Sequence, residues 1–255
     1  MATKAAVGSE ITIMEVEKGE MHVCILGTTP FLCNAMPAKA WHQLLAPSGK
    51  KGAAEKASTM KHDPVDEYRN SIYRLKEGAD TLVATKTTGF KKSMMSAALD
   101  APGTKKTQIG RLVYVHGELT PVFGIPQLHM TIVRSADMNR TPDVRTRAIL
   151  QEWACHLKVT YTQPLLRQQS IVNLLAAAGF QSGMGDWRQE KGSSNYGSFR
   201  LVGAKDPDFV RITKTMGRQA QIEAMENPVC YDLETEELLS WFNVEKNRRG
   251  FKVAA

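Results

Sequence analysis

The segment between residues 153 and 202 constrains the fold of this chain more than any other part of the sequence. From Trp153 to Tyr161, apolar side chains alternate with more polar ones, which is the pattern of a strand with one buried face. Residues 165–178 then place apolar side chains at helical spacing, and Gly179 is suited to end that helix. Another strand is predicted over 196–202. This order of strand, helix, glycine loop and strand predicts half of a split βαβ unit.

The first half of the chain predicts a second unit of the same kind. Apolar residues alternate with polar neighbours over 21–25, and Ile11 and Ile13 predict an earlier strand or the first arm of a hairpin. The strand must end by Pro30, which cannot donate to a ladder. The other elements predicted here are a short helix over 35–45, a helix over 89–99, strands over 111–115, 122–125 and 128–133, and a basic loop over 134–147.

The overall composition favours a water-soluble globular protein. The chain has 255 residues, of which 42% are hydrophobic and 23% are charged. No apolar run reaches the roughly 18 residues of a membrane span, and the N-terminus lacks a signal-peptide pattern. A cytoplasmic protein without a membrane partner is therefore expected.

Motifs for catalysis are weak. The histidines lack the spacing of a metal site, and the scattered cysteines indicate reduced thiols. Ser182 does not lie in a nucleophile elbow, and the glycines at 183 and 185 follow a helix, whereas those of a dinucleotide motif open one. Asp186 and Glu190 are expected to form salt bridges with Arg188 or Lys191. We therefore expect no enzyme, no metal and no cofactor.

The charge balance favours a polyanionic partner. Lysine and arginine number 33 against 26 acidic residues, which gives a net charge of +7. The excess lies in the middle of the chain, over 81–120 and 140–200. Solvation of outer faces is the alternative explanation for any single cation.

The glycine-rich stretch over 179–203 holds the first group of candidate binding residues. Its glycines would let backbone N–H groups face a ligand directly. Stacking rings and cations occur beside them, a composition suited to single-stranded nucleic acid. These residues are Trp187, Arg188, Lys191, Tyr196 and Arg200. The alternative is a mobile loop whose glycines only avoid strain and whose Trp187 fills the core.

Two further groups of cations are candidate phosphate ligands. Lys91 and Lys92 lie near the start of a predicted helix, where they oppose the helix dipole unless an anion is close; side chains that simply reach into solvent are the alternative. Arg140, Arg145 and Arg147 fall in the predicted basic loop, and arginine can hold a phosphate by two hydrogen bonds.

Taken together, the order of parts resembles the RAMP superfamily, the RRM-like CRISPR backbone subunits that coat guide RNA. The resemblance is carried by Gly27-Thr-Thr-Pro-Phe31, by Thr87-Thr-Gly-Phe-Lys-Lys-Ser-Met-Met95, by the long middle stretch, and by Gly183-Met-Gly-Asp-Trp through Asn195-Tyr-Gly-Ser-Phe199. The aspartate that cleaves target RNA in some members has no matching motif here.

The resemblance implies an α+β fold with a ferredoxin-like (RRM-like) core and large insertions. This nucleic-acid-binding core would cover residues 11–203, with a mobile basic insertion over 48–62 and a thumb-like region over 100–147. A C-terminal extension would cover 204–255. Head-to-tail homo-oligomers and a groove for single-stranded RNA are also implied.

The expected function is a non-catalytic backbone subunit that binds guide RNA within a CRISPR-type effector complex. Other effector subunits are further expected partners. One alternative is a phage-type recombination protein that coats or anneals single-stranded DNA. Another is a structural assembly protein of a virion whose basic surface is incidental. An enzyme ranks third among these alternatives.

Overall fold

The computed structural model describes residues 15–36, 38–46, 61–134, 140–191 and 194–250. Ile11, Ile13 and nearly all of the insertion over 48–62 lie outside these ranges. The strands are β1 (Glu17–Gly27), β2 (Phe31–Leu32), β3 (Tyr73–Arg74), β4 (Val83–Lys86), β5 (Val113–Val115), β6 (Leu119–Pro121), β7 (Pro126–Arg134), β8 (Pro142–Leu150), β9 (Ala154–Gln163) and β10 (Phe199–Val202). The helices are α1 (Ala38–Leu45), α2 (Pro64–Asn70), α3 (Thr88–Ala97), α4 (Lys106–Leu112), α5 (Gln168–Ala177), α6 (Pro207–Thr215), α7 (Arg218–Glu226) and α8 (Leu233–Arg248).

The protein is an α+β structure built on antiparallel sheets. The largest described sheet has the strand order β10-β1-β9-β5, and all its neighbours pair antiparallel. Strands β1 and β9 form its long central ladder, from Glu17 opposite Gln163 to Leu26 opposite Ala154. The alternation in both strands buries one face, as the sequence predicts.

Helices α3 and α5 pack against the buried face of this sheet. Phe90 and Met94 of α3 and Ile171 and Leu175 of α5 are fully buried in the same core as the inward side chains of β1 and β9. The predicted helices over 89–99 and 165–178 are thus confirmed, with small differences at their ends. The α-helical spacing of α5 stops at Ala177, and a π-helical turn then runs from Ala178 to Ser182.

The opposite face of the sheet is partly covered by the C-terminal part of the chain. Phe209 and Ile212 of α6 pack on Leu26, Ala154 and Phe123. Residues after 203 therefore contribute side chains to a hydrophobic cluster of the main sheet.

The predicted basic loop over 134–147 is wrong from Pro142 onward, where β8 begins. Strand β8 pairs with β7 along its whole length, from Arg134 opposite Pro142 to Pro126 opposite Leu150. Residues 146–150 are all buried. The turn-forming residues near Pro142 are outweighed because a long partner strand satisfies the backbone and a core covers the side chains.

Of the other short elements predicted from the sequence, some agree with the structure and some do not. The helix over 35–45 is confirmed as α1, and the strand over 128–133 as part of β7. The strand over 122–125 is wrong, since Phe123 forms only an isolated bridge with Ala154 and Gly124 has a φ of +144° that turns the chain. Residues 111 and 112 belong to α4 rather than to the strand that follows.

Gln221 joins α7 to the small sheet with the order β3-β4-β6. Its side chain is fully buried. Its amide oxygen accepts from the backbone N–H groups of Leu82 and Val83 at 2.8 and 2.9 Å, and its amide nitrogen donates to the carbonyls of Val122 and Gly124 at 2.8 and 3.0 Å. One side chain therefore satisfies four backbone groups away from water.

We expect Gln221→Ala to lower the free energy of unfolding by about 2–5 kcal/mol, because buried donors and acceptors would lose their partners. Urea denaturation measures this change. The control is Gln219→Ala on the same helix, where the side chain is exposed and the expected effect is within about 0.5 kcal/mol. Equal effects of the two substitutions would contradict the assigned role of Gln221.

None of the helices in the described ranges combines the length and the apolarity needed to cross a bilayer.

Candidate nucleic-acid interface

The segment between Ser182 and Phe199, here called the glycine loop, is held against the rest of the protein by backbone hydrogen bonds. Met184 N donates to Gly197 O at 2.8 Å, Asp186 N to Leu32 O at 2.9 Å, and Gly197 N to Pro30 O at 2.7 Å. A Cβ on Gly197 would collide with the Met184 carbonyl, and Gly197 has a φ of +75°. At these positions the glycines serve close packing, and the N–H groups bond to the protein instead of facing a ligand.

Trp187 and Tyr196 place two aromatic rings side by side at the surface of the loop. Their centroids are 6.4 Å apart and the ring planes differ by 11°. Both residues are half-buried. An isolated bridge between Arg188 and Tyr196 brings the two ends of the loop together. The two rings therefore share one surface, and Trp187 is half-buried instead of lying in the core.

Arg147 lies beneath Trp187. Its guanidinium carbon is 5.4 Å from the centroid of the Trp187 ring, a cation–π contact, and Nη1 donates to Asp186 Oδ2. Only 8% of the Arg147 side chain is exposed. Burial lowers the pKa of the Arg147 guanidinium, and the charge of Asp186 opposes that shift. Arg147 is thus a buried, paired arginine on β8 and not an exposed loop residue as predicted.

Asp186 also differs from its predicted pairing. The sequence favoured Arg188 or Lys191 as its partner because they are close in the chain, but the structure pairs it with Arg147, which lies on another strand. Glu190 does pair with Arg188, whose Nε donates to Glu190 Oε2 at 2.8 Å.

Arg145 shares a face of β8 with Arg147, since residues two apart in a strand point the same way. Arg145 is exposed, and its charge contributes to the lowered pKa of Arg147. The pairing of β7 with β8 sets Thr131 opposite Arg145 and His129 opposite Arg147. This strand pair therefore holds one cation at the surface next to one below it.

His129 and Tyr231 extend the cluster, and sequence reasoning missed both. His129 Nδ1 lies 3.3 Å from Asp232 Oδ2, and the His129 and Tyr231 rings meet edge to face at 5.3 Å. Tyr231 N donates to Leu128 O at 2.9 Å, which holds this segment against β7. No local sequence signal connects residues that are about a hundred positions apart. Asp232 does have a local signal, because an aspartate directly before a helix is a typical N-cap, and it caps α8.

Some of the predicted cations are near the glycine loop, and one of them, Arg188, already donates hydrogen bonds to groups of the protein. Arg188 bonds to Glu190 and also to the carbonyl of Gly185, at 3.3 Å. Glu190 in turn accepts from Ser96 of α3 at 2.7 Å, so the loop is tied to that helix. Lys92 is exposed one helical turn before Ser96 and lies on the same side of α3.

The remaining predicted residues are dispersed. Lys91 lines a groove of about 570 Å³ together with Lys86, Thr88 and Tyr114 at the start of α3. Arg140 is exposed just before β8, at the far end of the hairpin from Arg147. Arg200 lies on β10, where its guanidinium is 3.4 Å from Asp206 Oδ2. The side chain of Lys191 is outside the described part of the structure.

No protein-family model matches this chain, and a comparison with curated proteins finds no significant match. The function is therefore inferred from the residues themselves.

We expect Asp186→Ala to lower the free energy of unfolding by about 1–3 kcal/mol, because it leaves the buried Arg147 guanidinium without a counter-charge. The figure is below the usual cost for a buried pair, since the Asp186 side chain is 38% exposed. Chemical denaturation gives the value. Asp208→Ala removes an exposed carboxylate on α6 and serves as the control; a loss no larger than in that variant would show that the pair contributes little.

Stability should also fall on mild acidification because of His129. Burial lowers the pKa of His129 from its usual 6.5, and the nearby charge of Asp232 opposes the shift while that of Arg147 adds to it. The unfolded chain therefore binds a proton at His129 at higher pH than the folded chain does. The contribution of neutral His129 to the free energy of unfolding is present above about pH 6.5 and is lost as the pH falls below that value. Urea midpoints measured from pH 7.5 down to about 5 test this. His129→Asn should flatten the curve, whereas His42→Asn on exposed α1 should not; part of the slope should persist, because burial also lowers the pKa of His156.

Proposed function

We propose that the protein binds single-stranded nucleic acid on the surface formed by the glycine loop and β8. The observation that carries this proposal is the nearly parallel pair of Trp187 and Tyr196, with Arg147 against the Trp187 ring and Arg188 bridged to Tyr196. The exposed Arg145 lies on the same face of β8 as Arg147. Rings of this kind stack on any base, and neighbouring arginines hold phosphates, so such a surface binds a strand without reading its sequence.

The order of strands supports an RRM-like, ferredoxin-like core for this binding protein. Along the chain, β1, α3, β5, β9, α5 and β10 follow the order strand, helix, strand, strand, helix, strand. In the sheet these strands lie in the order β10-β1-β9-β5, so that the fourth strand of the unit is followed by the first, the third and the second. Every neighbouring pair is antiparallel. This is the arrangement expected of a ferredoxin-like unit, with β2–β4, β6–β8, α1–α2 and α4 inserted into it.

The basic helix α3 supports a second contact with the strand. Lys86 and Lys91 line the groove at the start of the helix, and Lys92 lies on the side of α3 that meets the loop through Ser96. A polynucleotide that crosses the loop would have these cations further along its path. Phosphates there would also compensate for cations placed in the first turns of a helix.

Exposed apolar side chains support repeated head-to-tail association. Trp41, Leu44 and Leu45 of α1 are more than half exposed, as are Trp241 and Val244 of α8. Apolar groups exposed in sets commonly mark protein interfaces, and a head-to-tail contact requires two different surfaces. Together with the resemblance to CRISPR backbone subunits, these features support the function that we propose, a non-catalytic backbone subunit that coats guide RNA in a CRISPR-type effector complex.

Charge reversal on α3 tests the nucleic-acid proposal. Lys91→Glu with Lys92→Glu should weaken binding of a labelled single-stranded RNA several-fold and reduce the salt slope by up to about 1.4, because two phosphate contacts are lost. Fluorescence anisotropy across a salt series measures both values. Lys214→Glu on the exposed side of α6 is the control and should change neither by much.

A companion experiment separates the possible ligands. RNA and DNA of one sequence compete for the protein, and any nucleic acid that purifies with it is sequenced. A bound guide and a preference for RNA support the effector subunit, whereas a preference for DNA favours the annealing protein. Absence of binding to either at low salt would overturn the proposed function and favour a structural assembly protein.

A further inference from the structure

One edge of the Arg147 guanidinium has no hydrogen-bond partner within the part of the chain that the structure describes. Nη1 is used by Asp186, but Nε and Nη2 are buried and neither has an acceptor among the described residues. These two nitrogens form the side edge of the guanidinium and point their N–H groups in parallel, which is the geometry that binds two oxygens of one acceptor group.

Such an edge is uncommon in a folded protein. Buried polar groups nearly always have partners, and a buried donor without one is destabilising, more so when it belongs to a charged group. The Arg147 side chain is more than nine-tenths buried, and burial lowers its pKa, so the surroundings disfavour the cation even with Asp186 present. A second anionic acceptor would oppose both effects.

A phosphate group fits this edge. Its adjacent oxygens match parallel N–H donors, and the exposed Arg145 on the same face of β8 adds positive charge at the opening. Trp187 and Tyr196 stand beside the guanidinium, where they would contact the base or sugar attached to that phosphate.

A ligand can reach this edge only if a neighbouring group moves, since Nε and Nη2 are closed to solvent. Trp187 lies over the guanidinium, with its ring centroid 5.4 Å from the guanidinium carbon. Its φ of +49° lies in the left-handed region, which is unfavourable for a bulky side chain. The hydrogen bond from Tyr196 N to Trp187 O is long, at 3.4 Å. Movement of Trp187 would therefore break few bonds and release local strain.

We propose that Arg147 binds one phosphate of the nucleic-acid strand through Nε and Nη2, and that Trp187 is a cover that moves aside to admit it. This inference rests on the proposed function and adds to it a particular phosphate site with a closed and an open form.

Substitution by lysine tests the two-oxygen contact. Arg147→Lys keeps the charge but removes the parallel donors, so we expect the Kd for single-stranded RNA or DNA to rise about tenfold while the salt slope stays unchanged. Arg145→Lys, on the exposed neighbour, is the matched control and should raise Kd by no more than about threefold. Equal effects of the two substitutions would overturn the assignment. Circular dichroism and urea denaturation establish that each variant is folded.

A second measurement uses the chain without any change at Arg147. The protein is labelled with 5-fluorotryptophan, and the Trp187 signal is assigned by its loss in Trp187→Phe. Saturating oligonucleotide should shift that fluorine resonance and leave the signal of fully buried Trp153 in place. Binding detected by anisotropy with no shift at Trp187 would show that the cover does not move.

Titration with a nucleoside monophosphate and with inorganic phosphate separates the inference from the proposed function. If the wild-type protein binds no polynucleotide but the monophosphate shifts the Trp187 signal, the phosphate site stands and the nucleic-acid function fails. If polynucleotide binds but Arg147→Lys has no effect, the function stands and this site fails. If neither polynucleotide nor phosphate binds, both fail.

Discussion

The antiparallel pairing of β1 with β9 is the interaction on which the rest of the structure depends. It joins two segments more than a hundred residues apart, from Glu17 opposite Gln163 to Leu26 opposite Ala154. Its alternation puts one set of side chains under α3 and α5 and the other set partly under α6. Because each strand is apolar on one face in phase with the other, a shift of one residue would turn the core side chains to the opposite face.

The end of this ladder also positions the glycine loop. Trp153, just before β9, is fully buried; its Nε1 donates to Thr29 O at 2.9 Å and its ring lies 5.2 Å from that of Phe31. The chain around Thr29 is held there, and the carbonyls of Pro30 and Leu32 then accept from Gly197 and Asp186. The same ladder that forms the core therefore fixes both ends of the segment that carries Trp187.

Several cations of the proposed interface are paired with carboxylates, so the number of arginines and lysines there overstates the exposed positive charge. Arg188 and Arg200 are paired with Glu190 and Asp206, and Arg147 is held below the surface by Asp186. Arg145 on β8 and Lys92 on α3 are exposed. Paired arginines give the site its shape, and exposed ones supply the field that attracts a polyanion. In the proposed site Arg147 would combine the two roles, because the guanidinium edge that has no partner among the described residues is positioned in advance for an anion.

Elements with a local signal could be predicted from the amino-acid sequence. Strands β1 and β9 and helices α3 and α5 were predictable because the period of their apolar residues depends only on the backbone they form. The rings and most cations of the candidate site were also visible, since Trp187, Arg188 and Tyr196 are close in the chain. Three features became visible only in the folded protein: β8 is a strand, Asp186 pairs with Arg147, and His129 and Tyr231 adjoin the site. Each of these depends on burial by residues distant in the chain, and neither residue type nor spacing reports whether a turn-like segment will find a partner strand or an arginine will be covered.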